Sequence, residues 1–149
     1  MIKGLLQTPL KQIHDERGKV MHMLRSTDPH FKQFGEVYFS WIYPGVVKAW
    51  HQHTEMQMNY TVPVGSIKLV LYDDRPESPT CGELNEFYMN AENYYLLTIP
   101  RGIWYGFKAV GKDSAMIVNC STIPHDPAEI LRIAFDDPRI PYVWDVQHG

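Results

Sequence analysis

The stretch Gly45-Val46-Val47-Lys48-Ala49-Trp50-His51-Gln52-His53 decides the reading of this chain. It leaves a turn signal at Pro44-Gly45, runs through apolar residues and closes on two histidines one residue apart. In a strand, residues i and i+2 project from one face, so both imidazoles can enter a single cavity. Working outward, the same signature recurs. Residues 37–43 are apolar and aromatic and end at Pro44-Gly45, and residues 67–72 end at Asp73-Asp74-Arg75-Pro76. Residues 94–99 end at Pro100-Arg101-Gly102, residues 115–120 form another apolar run, and residues 20–24 follow Arg17-Gly18. Short runs punctuated by Gly, Pro and Asp read as strands and turns. Helix is expected only at 127–133, where Pro127 suits a first helical position. Residues 90–93 are too short for more than a turn. The fold class is therefore all-β, an antiparallel sandwich or small barrel with very little helix.

Composition narrows the function. The chain has 149 residues, 44% hydrophobic and 13% aromatic, a globular composition sufficient for one core. No repeat or linker breaks it, so residues 1–149 read as a single domain. Net charge is -3 with no basic block, which argues against nucleic-acid binding. Two cysteines, Cys81 and Cys120, are too few for a disulfide framework. No leader and no apolar run of about 18 residues is visible, so a cytoplasmic protein that does not enter membranes is expected.

Gly45, five residues, His51-Gln52-His53 and then Gly65 resembles the first cupin motif. Pro100-Arg101-Gly102 with its aromatic run resembles the second, which implies a jelly-roll barrel. Metal-binding cupins add a Glu, whose place falls here on Gln57 or Met58, and a third His, whose place falls on Tyr105. Those donors suit Zn or Fe poorly, so no metal and no cofactor is expected. A neutral imidazole still serves as a base near pH 7, especially where a carboxylate orients it.

Further stretches resemble the dTDP-4-dehydrorhamnose 3,5-epimerase family. Asp15-Glu16-Arg17-Gly18 is similar to its D-x-R-G, and Gly45 to His51 to its G-V-L-R-G-L-H. Ser78-Pro79-Thr80, Ala91-Glu92-Asn93, Ile99-Pro100-Arg101-Gly102 and Gly106-Phe107 follow in order, then Asp136-Asp137-Pro138, Ile140 and Trp144. The resemblance implies a metal-free homodimer acting on a nucleoside-diphosphate-linked 4-keto sugar. In it a His–Asp pair removes a proton next to the ketone. It makes His51 the base, Asp137 its partner (Asp136 as second choice) and Lys48 the cation beside the diphosphate. Arg17, His53 and Gln57 are further substrate-binding candidates, and Trp104 a stacking wall.

Other family positions are changed. Met58 stands where the family has a Lys, Val118 or Asn119 where it has its catalytic Tyr, and Tyr105 replaces a His. Val20 and His22 replace its nucleotide-holding Phe and Glu. Tyr105, Tyr60 and Tyr38 are candidate replacement acids, with Tyr38 also read as substrate-binding. His53 is a second-base candidate, which would make the protein a keto-isomerase. A non-catalytic sugar-binding module and a metal-dependent cupin are the other readings. The tryptophans read as packing residues, and His14, His30, His125 and His148 as exposed.

Overall fold

The computed structural model describes residues 1–145. Its strands are β1 (Leu6–Pro9), β2 (Gln12–Asp15), β3 (Gly18–Met21), β4 (Glu36–Ile42), β5 (Val47–His53) and β6 (Met58–Val64). There follow β7 (Ile67–Asp73), β8 (Leu84–Met89), β9 (Tyr95–Ile99), β10 (Ile103–Ala109), β11 (Ala115–Ser121) and β12 (Ile130–Arg132). Two five-stranded antiparallel sheets form, β1-β9-β6-β11-β4 and β12-β5-β10-β7-β8, with β2 and β3 pairing separately. This is the all-β jelly roll expected from the runs and motifs.

The core lies between the sheets. Alternate residues from both inner faces meet there: Met58 and Val62 of β6, Leu97 and Ile99 of β9, Leu69 and Leu71 of β7, Ile103 and Phe107 of β10. Full burial of each such side chain is worth about 1.5–3 kcal/mol. A second cluster, Trp50, Val70, Trp104, Ile140 and Trp144, covers the other face of the β5–β10–β7 sheet. Successive strand residues alternate faces, so packing Trp50 and Trp104 outside aims His51 and Tyr105 inside. Trp104 is therefore not a substrate wall; its indole N–H donates to Asp74 Oδ2 at 2.8 Å. Trp41, by contrast, is 52% exposed.

The helix expected over 127–133 is replaced by one 3-10 turn, Pro127–Glu129, followed by β12. Asp126 caps the turn by accepting Ala128 N–H at 3.0 Å. Beyond it Ile130, Leu131 and Arg132 pair with His53, Gln52 and His51, and this ladder overrides local helix preference. The strand expected over 20–24 lies earlier, at Gly18–Met21. His30 is not exposed: only 10% of its side chain meets solvent, and its buried Nε2 lies 3.8 Å from Asp28 Oδ2, beyond hydrogen-bond distance. His14 and His125 are exposed, and His148 lies outside the described residues.

One irregularity positions the site. Tyr105 pairs with His51 but Phe107 pairs with Lys48, so β5 carries an extra residue in a bulge. Regular alternation would set Lys48 and His51 on opposite faces; the bulge returns both to the face that lines the cavity. The strands meet closely where the bulge faces Gly106. A Cβ there would lie 2.5 Å from Ala49 Cβ and 2.9 Å from Trp144 Cζ2. Gly106→Ala should therefore destabilise the fold by about 1–3 kcal/mol. Urea unfolding checks this, and an unchanged midpoint would contradict it.

Candidate active site

Two cross-strand rows face each other inside the sandwich. Arg132, His51, Tyr105 and Leu71 lie side by side across β12, β5, β10 and β7. Tyr38, Asn119, Tyr60 and Leu97 do the same across β4, β11, β6 and β9. Each row starts with a polar side chain on an edge strand and ends on a buried leucine. Tyr60 and Tyr105 meet edge-on between the sheets, ring centroids 6.0 Å apart at 85°. A cavity of about 320 Å³ lies at the polar ends of both rows. Lys48, His51, Tyr105 and Arg132 line one wall; Glu36, Tyr38, Ser40 and Tyr60 line the other.

His51 is half-buried, and its Nδ1 has no hydrogen-bond partner. Burial disfavours its charged form, and the cations Arg132 and Lys48 with neighbouring His53 add to the effect, lowering its pKa to about 4. At neutral pH the ring is an uncharged proton acceptor. Lys48 Nζ donates to Trp41 O at 2.6 Å, which holds the ammonium between β5 and β4.

His53 sits in a different arrangement. Its Nδ1 is hydrogen-bonded to Glu129, and its Nε2 lies 3.0 Å from the Tyr105 hydroxyl. Both His53 and Glu129 are buried. The second Glu129 oxygen accepts the backbone N–H groups of Glu55 at 3.2 Å and Met56 at 3.1 Å. Burial pushes the Glu129 carboxyl up. The His53 bond and those two amides outweigh it and hold the carboxyl below its usual value. An ionised Glu129 fixes the His53 tautomer with hydrogen on Nδ1, so Nε2 accepts from Tyr105. Both His53 nitrogens are thus hydrogen-bonded, Nδ1 to Glu129 and Nε2 to the Tyr105 hydroxyl. Among the described residues no cluster of three or more His, Cys, Asp or Glu is arranged to hold a metal ion.

The structure thus brings together His51, His53, Tyr105, Tyr60, Lys48 and Tyr38, but not Asp137, Asp136, Arg17, Gln57 or Trp104. Asp137 does not reach His51: its carboxylate accepts Arg139 N–H at 2.9 Å and Arg139 Nη2 at 2.8 Å. That local ion pair lowers its pKa to about 2, and Asp136 is exposed. Arg17 pairs with Asp15 at 2.7 Å in the exposed β2–β3 hairpin, outside the cavity. Gln57 lines a separate groove with Arg101 and Thr122, its backbone N–H on Thr122 Oγ1. Glu129, Arg132 and Glu36 were missed by sequence reasoning. The alternation Glu129, Leu131 against Ile130, Arg132 is the one signal that could have marked β12, and the helical pattern masks it.

A family model described as dTDP-4-dehydrorhamnose 3,5-epimerase matches residues 1–148. A probable low-salt glycan biosynthesis epimerase of Haloferax volcanii is 42% identical over 130 residues, covering 86% of this chain and 80% of that protein. A spore coat polysaccharide biosynthesis protein of Bacillus subtilis is 33% identical over 149 residues, covering 99% of each. The crystal structure of a dTDP sugar isomerase from Desulfovibrio desulfuricans G20 superposes with a TM-score of 0.94 at 46% identity, covering 97% of this chain and 95% of that one. With its jelly roll, inward His51 and matching motifs, this chain belongs to the dTDP-4-dehydrorhamnose 3,5-epimerase family.

Proposed function

We propose that the protein is an isomerase that inverts a carbon next to the ketone of a nucleoside-diphosphate-linked 4-keto-6-deoxy sugar. The observation that carries this is His51, a neutral imidazole with Nδ1 unpaired, set between Lys48 and Arg132 on a cavity of about 320 Å³. That volume falls at the lower end of the range for small-molecule sites, room for the sugar ring with the nucleotide outside. The ketone acidifies the neighbouring C–H, His51 takes the proton, and the bonding electrons enter an enolate. Lys48 and Arg132 hold the diphosphate by charge-assisted hydrogen bonds. Relatives named for glycan and spore coat polysaccharide synthesis support a role in building surface sugars.

Incubating the protein in heavy water with dTDP-, UDP-, CDP- and GDP-linked 4-keto-6-deoxy hexoses tests the reading. Deuterium should enter beside the ketone for one of them. Exchange with none would overturn it.

The pH profile follows from the charges. A base with a depressed pKa works above that value and fails as pH falls through it. The acid limb of kcat/KM should therefore lie near pH 4. A bound diphosphate neutralises Lys48 and Arg132, so the limb of kcat should move to higher pH. Coincident limbs would mean that neither cation meets the diphosphate.

A homodimer in the cytoplasm completes the proposal. The outward residues of edge strand β4, Val37, Phe39 and Trp41, with Tyr43 beyond, are exposed apolar side chains that a second copy would cover. Sedimentation equilibrium showing only monomer would contradict this. Cys81 and Cys120 are free thiols, and no helix among the described residues is long and apolar enough to cross a membrane.

A further inference from the structure

Inversion needs a proton donor on the face of the sugar opposite the base, and the two walls of the cavity decide which groups qualify. His51 belongs to the β12–β5–β10–β7 row. Tyr105 is its register partner on the adjacent strand of the same sheet, so it shares the base's wall. A donor there would return a proton to the side it left. The Tyr105 hydroxyl is moreover engaged with His53 Nε2 at 3.0 Å. On the facing wall, Tyr60 is only 4% exposed and packs against Tyr105 toward the core. Ser40 is an alcohol, a much weaker acid than a phenol. Glu36 is taken up by the His125 backbone N–H, which its Oε1 accepts at 3.2 Å, and the His125 side chain is exposed at the rim. Tyr38 is what remains.

From this geometry we infer that Tyr38 is the proton donor facing His51, and that Asn119 aims its hydroxyl. The inference rests on the epimerase reading. Asn119 is fully buried, and its Oδ1 accepts Asn59 N–H at 3.0 Å, which fixes which end of the amide is the donor. Asn119 Nδ2 then donates to Tyr38 Oη at 2.9 Å. Because the phenol oxygen is the acceptor in that bond, its own hydrogen points elsewhere, and it has no acceptor among the described residues. Burial raises the pKa of Tyr38 against the Asn119 bond, and the charges of Glu36 and Glu129 add to the rise, so the phenol stays protonated at neutral pH.

The step balances. His51 removes the proton from one face and becomes imidazolium, while the C–H electron pair forms the enolate. Tyr38 delivers its proton to the same carbon from the other face as that pair returns to carbon. The phenolate left behind keeps the Asn119 N–H bond. A proton passes from the imidazolium to the phenolate through solvent before the next turnover.

The test follows deuterium and stereochemistry together in heavy water, using the 4-keto-6-deoxy sugar nucleotide that the wild-type protein exchanges. Tyr38→Phe should continue to wash deuterium into the original epimer while inversion falls at least about 100-fold. Asn119→Asp keeps the acceptor for Asn59 N–H but turns the Tyr38 hydrogen toward the new carboxylate, away from the sugar. It should lose inversion similarly with KM unchanged, a split that a packing defect would not produce. Near-ultraviolet circular dichroism verifies that both variants fold. Inversion by Tyr38→Phe within threefold of wild type overturns the inference, as does its loss in Tyr105→Phe alone. A wild-type protein that exchanges no substrate overturns the epimerase reading and this inference with it, whereas normal exchange with an inverting Tyr38→Phe overturns only the inference.

Discussion

His51→Asn is expected to remove deuterium incorporation beside the ketone, lowering exchange by about 10³-fold or more. The effect is large because His51 presents the unpaired basic nitrogen of that wall. Lys48 and Arg132 are cations, and Tyr105 is a phenol whose pKa burial pushes well above its usual value. His53 is held between Glu129 and Tyr105. Asparagine preserves a polar side chain of similar size without a basic nitrogen, so folding and nucleotide affinity should survive. Titration with the free nucleoside diphosphate by calorimetry separates the two effects. Exchange within tenfold of wild type would remove His51 from the chemistry and leave only its fold position. Under the Tyr38 proposal this variant and Tyr38→Phe fail differently, the first losing exchange and inversion, the second inversion alone.

Much of the fold could be read from pattern because its determinants are local. Runs such as 37–43 and 67–72 alternate or are continuously apolar and end at strong turn residues, and their strands lie within a residue of expectation. The His51–His53 spacing correctly implied a shared inward face. Determinants that depend on a partner strand were not legible. Regular alternation separates Lys48 from His51, and only the register against β10, with its bulge opposite Gly106, reunites them. Asp137 has the right residue type for an imidazole partner, but Arg139 two residues on captures it locally. Glu129 lies 76 residues from His53 in the chain, and no short-range pattern announces the contact. Tyr38 and Asn119 meet through cross-strand register, a distance of 81 residues in sequence.

Glu129 also carries the largest expected effect on stability. Glu129→Ala would strip the buried His53 of its carboxylate and leave the N–H groups of Glu55 and Met56 without acceptors. A buried donor left unsatisfied costs about 1–3 kcal/mol, and three are left here, together much of a small domain's net stability. Glu129→Gln retains the shape and one acceptor and should lose less, about 1–3 kcal/mol. The pH dependence distinguishes the lost charge from lost packing. The folded-state carboxyl lies below the ordinary glutamate value of 4.5, so its stabilisation is complete above that pH and is lost as pH falls through the folded value. Wild type should therefore lose stability on acidification over that window, and Glu129→Gln should lose less of it. Urea midpoints measured from pH 7 down to pH 3 for both proteins supply the comparison. If the curves run parallel, Glu129 is not an ionised anchor. His53 would then be free to turn its Nδ1 elsewhere, and the wall that holds Tyr105 in place beside His51 would need another support.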